Sequence, residues 1–301
     1  MTPELSVVVA APRGGEPLRR CLESLAAQEG LREGALEVLV ALGPHAGIGF
    51  GEEPERALHV RMVAVASGSA SLPFLHGAGV AASGGNLVAV TEEVATFESD
   101  WAASVLEVQK RTRAAALGGS VRPAEGIAGL DLAVFLCDYA AFLPPFPAGL
   151  TAELPGLAAV FTREALVGAG DVAVDGFWKT FHCRSLAHSG RLIHRDPALR
   201  VSCGRRLSWF AWARRRFLHG RCYGAMRATN WSASRRILHL LASPAVPFLL
   251  FWRVARQAWP RPAFRSRFLA VSPGCLVAQL LWAVGETVGL LFGAGTSGEQ
   301  L

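Results

Sequence analysis

Short apolar runs separated by turn residues mark the first hundred positions of the chain. Residues 5–11, Leu-Ser-Val-Val-Val-Ala-Ala, form a run rich in β-branched side chains that stops at Pro12. Similar runs follow at residues 36–42, 59–66 and 86–91. Continuous apolar runs of this length are typical of strands that are buried on both faces. The pattern therefore predicts four buried strands in the first third of the chain.

Segments with helical periodicity alternate with these runs. Apolar residues recur at helical spacing from Leu18 to Leu25, and further helices are predicted at residues 72–85 and at about 100–111. Such alternation predicts an α/β fold with a doubly wound, mostly parallel sheet and helices on both faces. Ligands of these sheets bind beyond the carboxyl ends of the strands. This rule places three segments along one crevice edge: residues 12–15, 42–45 and 91–94.

The last hundred residues follow a different pattern. Residues 209–231 are aromatic and arginine-rich, as in an amphipathic helix at a membrane surface. Residues 237–252 form an apolar run that contains two prolines, and residues 268–295 carry one charge, Glu286. The second run is long enough to cross a membrane and the first is short for that purpose. A hairpin with arginines on the cytoplasmic side and a pair lying on the surface both fit.

The change in pattern divides the chain into residues 1–205, an α/β domain, and residues 206–301, a basic, apolar helical region that associates with the membrane. Charge supports this division. Residues 1–200 carry 16 basic and 22 acidic side chains, whereas residues 201–301 carry 14 arginines and two acids. The apolar runs between the arginines favour membrane lipids as partners. No nucleic-acid recognition motif is present, so we expect no nucleic-acid partner.

The compartment is predicted from the cysteines and the N-terminus. The six cysteines are scattered and form no Cys-x-x-Cys pair, which is typical of reduced cytosolic thiols. The first residues lack the basic start and long apolar core of a signal peptide. We therefore expect the α/β domain to lie at the cytoplasmic face of the cell membrane.

A pair of carboxylates, Glu92 and Glu93, directly follows the fourth predicted strand. Acids in this place hold a divalent cation such as Mg²⁺ or Mn²⁺, or they form a solvated strand end. Mg²⁺ often binds only one or two protein carboxylates together with substrate phosphates. The sequence pattern leaves both interpretations open.

The order of the segments resembles a bacterial family-2 glycosyltransferase with the GT-A nucleotide-sugar-binding fold. The resemblance covers roughly residues 4–203 and rests on five segments: residues 5–28, 37–44, 76–94, 154–166 and 177–201. It implies transfer of a sugar from a nucleotide-diphosphate donor to a lipid-linked or polysaccharide acceptor, by a direct, inverting displacement. In this chemistry a carboxylate base deprotonates the acceptor hydroxyl, and a divalent cation neutralises the departing diphosphate.

The resemblance also implies a set of site residues. Glu92-Glu93-Val94 stands where the family has the Asp-x-Asp that holds the cation, so the first acid is kept and the second is replaced by Val94, which leaves Glu92 and Glu93 as the candidate metal ligands. Trp178-Lys179 stands where the family has the Glu-Asp pair that supplies the base, so Asp171 or Asp175 is the alternative base. Nucleotide-sugar contacts are expected from Pro12, Arg13, Gly14, Leu42, His76 and Glu92.

Several of these residues have a second interpretation. The turn at residues 12–14 is also what a plain strand-to-helix connection looks like, and His76 also fits a packed imidazole. Lys179 is either a diphosphate contact or a solvated cation at a helix start. Glu286 is expected to pair with an arginine of the C-terminal region or to lie at the membrane interface.

Two functional hypotheses follow. The chain is a membrane-associated glycosyltransferase, or it is a non-catalytic relative that acts as a membrane-tethered scaffold or partner of an active transferase. The second hypothesis is motivated by the simultaneous replacement of the expected base and of the second metal acid.

Overall fold

The computed structural model of the chain describes residues 2–47, 60–65, 71–229 and 231–300. It divides into two compact units, Met1–Arg122 with Pro144–Gly204 and Pro123–Leu143 with Arg205–Leu301. The first unit ends at Gly204, and the second unit combines residues 123–143 with the C-terminal region.

One sheet contains all nine strands, in the order β3-β2-β1-β4-β8-β6-β9-β5, and β7 pairs with β9. The strands are β1 (Leu5–Ala11), β2 (Leu36–Leu42), β3 (Val60–Val63), β4 (Leu87–Glu92), β5 (Ala95–Phe97), β6 (Ala116–Pro123), β7 (Gly149–Leu150), β8 (Ala159–Thr162) and β9 (Ile193–Cys203).

The α-helices alternate with the strands in the first unit and dominate the second. They are α1 (Gly15–Ala26), α2 (Leu72–Ala82), α3 (Trp101–Thr112), α4 (Gly129–Tyr139), α5 (Arg163–Leu166), α6 (Val172–Asp175), α7 (Lys179–His188), α8 (Trp209–Arg227), α9 (Ala233–Ala242), α10 (Val246–Ala258) and α11 (Pro262–Phe292). Short 3₁₀ turns lie at Ala140–Phe142, Val167–Ala169 and Ser243–Ala245.

The predicted parallel strands are present. β1 pairs in parallel with β2 and β4, and β2 with β3. Every residue of β1 is buried, so both faces of the sheet are covered at its centre. The other half of the sheet is antiparallel, because β8 runs against β4 and β6, and β9 runs against β5 and β7.

The third strand differs from the prediction of a buried strand at residues 59–66. β3 covers only Val60–Val63, and its residues Arg61 and Met62 are exposed. The cause is its position, since β3 is the last strand at one end of the sheet. Residues 59 and 66 lie outside the described residues.

The second unit is built from long helices. Two of its helical segments, Ala233–Ala258 and Pro262–Phe292, are long and apolar enough to cross a membrane by length and composition. The first segment is mostly exposed, and the second is less than half buried. The carboxylate of Glu286 accepts a hydrogen bond from Arg227 Nη1 at 2.6 Å, which confirms that it pairs with an arginine of this region.

Helix α8 was predicted to lie on a surface along its whole length, but part of it is buried. Trp212 and Arg216 are buried inside the second unit. Arg216 donates to Asp138 at 2.7 Å and to Gln279 at 3.2 Å. One arginine of the predicted surface helix therefore has internal partners, because a desolvated guanidinium needs a paired acceptor.

Candidate active site

The turn between β1 and α1 is fixed by the close approach of Gly14 to Gly47 and by backbone hydrogen bonds between the two segments. Gly14 has a φ of 68°, and a Cβ on it would lie 2.4 Å from the carbonyl oxygen of Gly47, so only glycine fits here. The amide of Gly15 donates to the same carbonyl at 3.1 Å, and the amide of Gly47 donates to the carbonyl of Arg13 at 3.0 Å. The turn is therefore held firmly at the carboxyl end of β1.

Both oxygens of the Glu93 carboxylate bind this turn. Oε2 accepts the amides of Gly14 at 2.7 Å and Arg13 at 3.3 Å, and Oε1 accepts Nε of Arg13 at 3.4 Å. The Glu93 side chain is 2% exposed. Burial raises the pKa of Glu93, and the two amide hydrogen bonds and the Arg13 guanidinium oppose this rise. Glu93 thus joins the end of β4 to the turn after β1.

The ends of three parallel strands form the predicted crevice edge. Ala11 of β1 lies opposite Leu42 of β2, and β4 ends at Glu92 beside β1. The amide of Gly43 donates to the carbonyl of Ala11 at 3.0 Å. A Cβ on Gly43 would lie 2.6 Å from the carbonyl oxygen of Pro12, so the two chain segments touch through their backbones. Pro12 and Leu42 are both half-buried.

His76 and Glu92 meet at the end of β4. His76 is buried in α2, and its Nε2 lies 2.8 Å from the carbonyl oxygen of Thr91. A carbonyl only accepts, so Nε2 carries the proton. Burial lowers the pKa of His76, the hydrogen bond and the charge of Glu92 oppose this, and the charge of Lys179 adds to the lowering. His76 is therefore a packed, hydrogen-bonded imidazole.

Lys179, the first residue of α7, completes this cluster. Its ammonium donates to the backbone carbonyl of Leu154. Burial lowers the pKa of Lys179, and the nearby Cys183, Glu153 and Glu92 oppose this shift. The residue that the resemblance aligns with the base is therefore a half-buried cation on which the charge of Glu92 acts.

The alternative bases lie on a segment that packs against α2. Asp171 directly precedes the short helix α6 and Asp175 is its last residue, and both residues are exposed. A Cβ on Gly77 would lie 1.9 Å from the carbonyl oxygen of Val172, so α6 and α2 are in backbone contact. The fold thus brings this segment against the helix that carries His76.

The predicted cation pair does not fit the observed carboxylates. Donors of the β1–α1 turn occupy three of the roughly four lone-pair positions of the Glu93 carboxylate, and the Arg13 guanidinium beside it would repel a cation. Among the described residues, no group of three or more His, Cys, Asp or Glu side chains is placed to hold a metal ion. Glu92 is left as the single acid of the pair at the crevice edge.

Sequence reasoning missed the partners of these residues. Glu93 binds backbone amides 79 and 80 positions earlier in the chain, and Lys179 binds a backbone carbonyl. Backbone groups have no residue signature, so no pattern in the sequence marks them. The one feature of the sequence that indicated this tight turn was Gly14, which adopts a positive φ.

The fold and this strand-end edge are those of a GT-A-type glycosyltransferase fold. No protein-family model matches the chain, and no curated protein matches it by sequence.

Several solved structures are similar to this chain. The chain is similar to the mannosyltransferase PcManGT from Pyrobaculum calidifontis, solved in complex with GDP-Man and Mn²⁺, with a TM-score of 0.61 at 18% identity over 97% of this chain and 88% of that one. It is also similar to S. aureus TarS 1-349, with a TM-score of 0.53 at 9% identity over 92% of this chain and 90% of that one. TarS 1-349 in complex with UDP-GlcNAc gives a TM-score of 0.51 at 10% identity over the same shares.

Proposed function

We propose that this chain is a glycosyltransferase that takes a sugar from a nucleotide-diphosphate donor. The observation that carries the proposal is the crevice edge, where the turn at Gly14, the close approach at Gly43 and the carboxylate of Glu92 lie at the ends of three parallel strands. Ligands of open α/β sheets bind at such edges. The similar structures PcManGT and TarS were solved with GDP-Man and with UDP-GlcNAc, which makes these two donors the first to test.

The proposed reaction is a direct displacement at the anomeric carbon with inversion. The acceptor hydroxyl oxygen forms the new bond, the bond to the diphosphate oxygen breaks, and a carboxylate takes the hydroxyl proton. Asp175 or Asp171 supplies this base, because both are exposed acids on the segment that packs against α2. PcManGT was solved with Mn²⁺, but the carboxylates of this chain do not fit a joint cation site, so we assign no step to a cation.

The proposed acceptor is a lipid-linked sugar or a polysaccharide, reached at the cytoplasmic face of the cell membrane. This part of the proposal is supported by the second unit, whose segment Ala233–Ala258 exposes Leu241, Phe248 and Trp252. Arg256 lies 5.4 Å from the ring of Trp252, and such aromatic and basic residues are enriched where a protein meets lipid headgroups.

A second candidate function is a non-catalytic partner of an active transferase. It is favoured by one observation, the ammonium of Lys179 at the position where the family has its base. Such a protein retains the fold and gives no turnover of its own.

The binding part of the proposal is tested by calorimetric titration of GDP-Man and UDP-GlcNAc, together with other nucleotide sugars, into the purified protein. We expect one donor to bind, and Glu92→Ala to change its affinity because Glu92 lies at the crevice edge. If no nucleotide sugar in a broad panel binds, the proposal is wrong.

A further inference from the structure

We propose that Lys179, and not an obligatory divalent cation, neutralises the diphosphate of the donor at this edge. The inference rests on the proposed function and specifies how its donor site works. Three observations lead to it: the engaged oxygens of Glu93, the position of the residues leading into α7 against α2, where the amide of Phe177 donates to the carbonyl of Pro73 at 2.7 Å, and the uncapped start of α7.

The first observation concerns the carboxylates. Glu92 and Glu93 are the two acids at this strand end, and Glu93 uses both oxygens on the amides of Gly14 and Arg13 and on the Arg13 guanidinium. Releasing Glu93 would leave the buried amide of Gly14 without an acceptor, which is unfavourable. Glu92 alone is a weak cation ligand, because the positive charge of Lys179 already acts on its carboxylate.

The second observation concerns the position and the donors of Lys179. An ammonium has three N–H groups, and the carbonyl of Leu154 accepts one of them. Within the described part of the chain this ammonium has no other hydrogen-bond partner, so two N–H groups are left for an anion at the start of α7, where the charge of Glu92 acts on Lys179. A bound diphosphate would offset the burial that lowers the pKa of Lys179, since a nearby anion favours the protonated amine.

The third observation concerns the helix that carries the lysine. The residue that precedes α7, Trp178, makes no side-chain capping hydrogen bond. The first amides of the helix are therefore not satisfied by a side-chain cap, and the helix dipole makes this end partly positive. A charged lysine and a positive helix end at one place form a site for a phosphate group.

The chemical role follows from these contacts. When the anomeric C–O bond breaks, its electron pair stays on the diphosphate oxygen, and Lys179 donates hydrogen bonds to the growing charge while it keeps its own proton. The acceptor hydroxyl proton goes to the separate carboxylate base. Lys179 thus supplies as a fixed charge what a cation supplies in related enzymes.

The chain offers a matched control, because it contains only one other lysine, Lys110, which is exposed near the end of α3. Affinity for UDP, GDP and their sugars is measured in EDTA and in Mn²⁺ for the wild type and for Lys179→Gln, Lys179→Arg and Lys110→Gln.

We expect the wild type to bind equally, within about twofold, in both conditions. Lys179→Gln should bind at least about tenfold more weakly, the size of a lost charged hydrogen bond. Lys179→Arg should keep most of the affinity, and Lys110→Gln all of it.

A second readout does not depend on affinity alone. Reductive methylation followed by peptide mass mapping reports the accessibility of each lysine, and a bound nucleotide should protect Lys179 but not Lys110. Melting temperatures of the variants show whether Lys179→Gln is folded, and the footprint uses only the unaltered protein.

The outcomes separate the two proposals. Binding that requires Mn²⁺, or a Lys179→Gln variant that binds like the wild type with Lys179 unprotected, overturns the role of Lys179 and leaves the transferase proposal standing. Absence of binding by every nucleotide sugar, with and without Mn²⁺, overturns both.

Discussion

Glu93 holds the end of β4 to the turn after β1 through the amides of Arg13 and Gly14. The charge of its neighbour Glu92 acts on His76 and Lys179 instead, where it favours their protonated forms. Two adjacent acids therefore have different environments, because successive side chains at a strand end point in opposite directions. At this scale, the account assigns a structural role to Glu93 and a ligand-facing role to Glu92.

The role of Glu93 predicts a difference between two substitutions. Glu93→Ala leaves the buried amide of Gly14 without an acceptor and should lower the free energy of unfolding by about 1–3 kcal/mol. Glu93→Gln keeps one acceptor oxygen and should cost less. Chemical denaturation of both variants measures this, and equal losses for Ala and Gln would contradict the role.

The stability difference between the wild type and Glu93→Gln is also expected to depend on pH. The folded pKa of Glu93 is raised above its ordinary value of 4.5, so the unfolded chain ionises first as the pH rises. The wild type therefore loses stability between pH 4.5 and the folded pKa, and Glu93→Gln does not. The stability of Glu93→Gln relative to the wild type should increase from pH 4 to neutral pH. A constant or falling difference would show that burial does not control this carboxyl group.

At the scale of elements, the second unit is organised by the contact between α8 and α11. Each helix carries a Gly-x-x-x-Gly spacing, at Gly220 and Gly224 on α8 and at Gly285 and Gly289 on α11. A Cβ on any of the four would lie 2.0–2.4 Å from a backbone carbonyl oxygen of the other helix. Small residues at this spacing allow backbones to touch, as in helix pairs of membrane proteins.

This contact predicts that a larger side chain separates the two helices. Gly285→Leu should destabilise the protein by about 3 kcal/mol or more, because the leucine meets rigid backbone and not a side chain that can move. Ala270→Leu, an exposed position on the same helix, is the matched control and should change stability little. Unfolding followed by circular dichroism measures both variants. A Gly285→Leu protein as stable as its control would contradict the close packing.

The elements also show what could be predicted from the sequence. β1, β2 and β4 were predicted because each is a continuous apolar run bounded by turn residues, which is a local signal. The helix at Gly129–Tyr139 was missed, and so was its membership of the second unit. That membership depends on long-range contacts such as Asp138 with Arg216, which local periodicity does not encode.

The site was predicted to a similar extent. The edge formed by residues 12–14, 42 and 92 follows from the strand order alone. The engagement of Glu93 by backbone amides and of Lys179 by a carbonyl does not, because backbone partners leave no trace in residue identity. The Gly-x-x-x-Gly spacings are present in the sequence, but the arginine-rich composition of residues 209–231 favoured a surface helix. The contact between α8 and α11 was therefore not predicted.

At the scale of the whole molecule, a mildly acidic α/β unit is followed by a basic, apolar helical unit. The similarity to PcManGT covers 97% of this chain, so it includes residues of both units. The proposed membrane contact uses the exposed apolar side chains of Ala233–Ala258, while the proposed chemistry uses the sheet edge of the first unit.

Membrane contact is tested by flotation of the purified protein with anionic vesicles. We expect the wild type to float and the double variant Phe248→Glu, Trp252→Glu to bind at least about tenfold more weakly, since each large apolar side chain contributes about 1.5–3 kcal/mol when buried. The control variant Leu150→Glu, Val167→Glu makes the same change at exposed apolar positions of the first unit and should float like the wild type. A wild type that stays unbound, or a Phe248/Trp252 variant that floats equally well, would contradict the assigned surface.

The central claim, that the chain transfers sugar from a nucleotide donor, is tested most directly by turnover of the donor that binds. The measurement is release of nucleoside diphosphate by the purified protein, with a lipid-linked or polysaccharide acceptor and without one, compared with Glu92→Ala. The account predicts release that depends on the acceptor and falls sharply in Glu92→Ala. Donor binding with no release for any acceptor would contradict it and favour the non-catalytic partner.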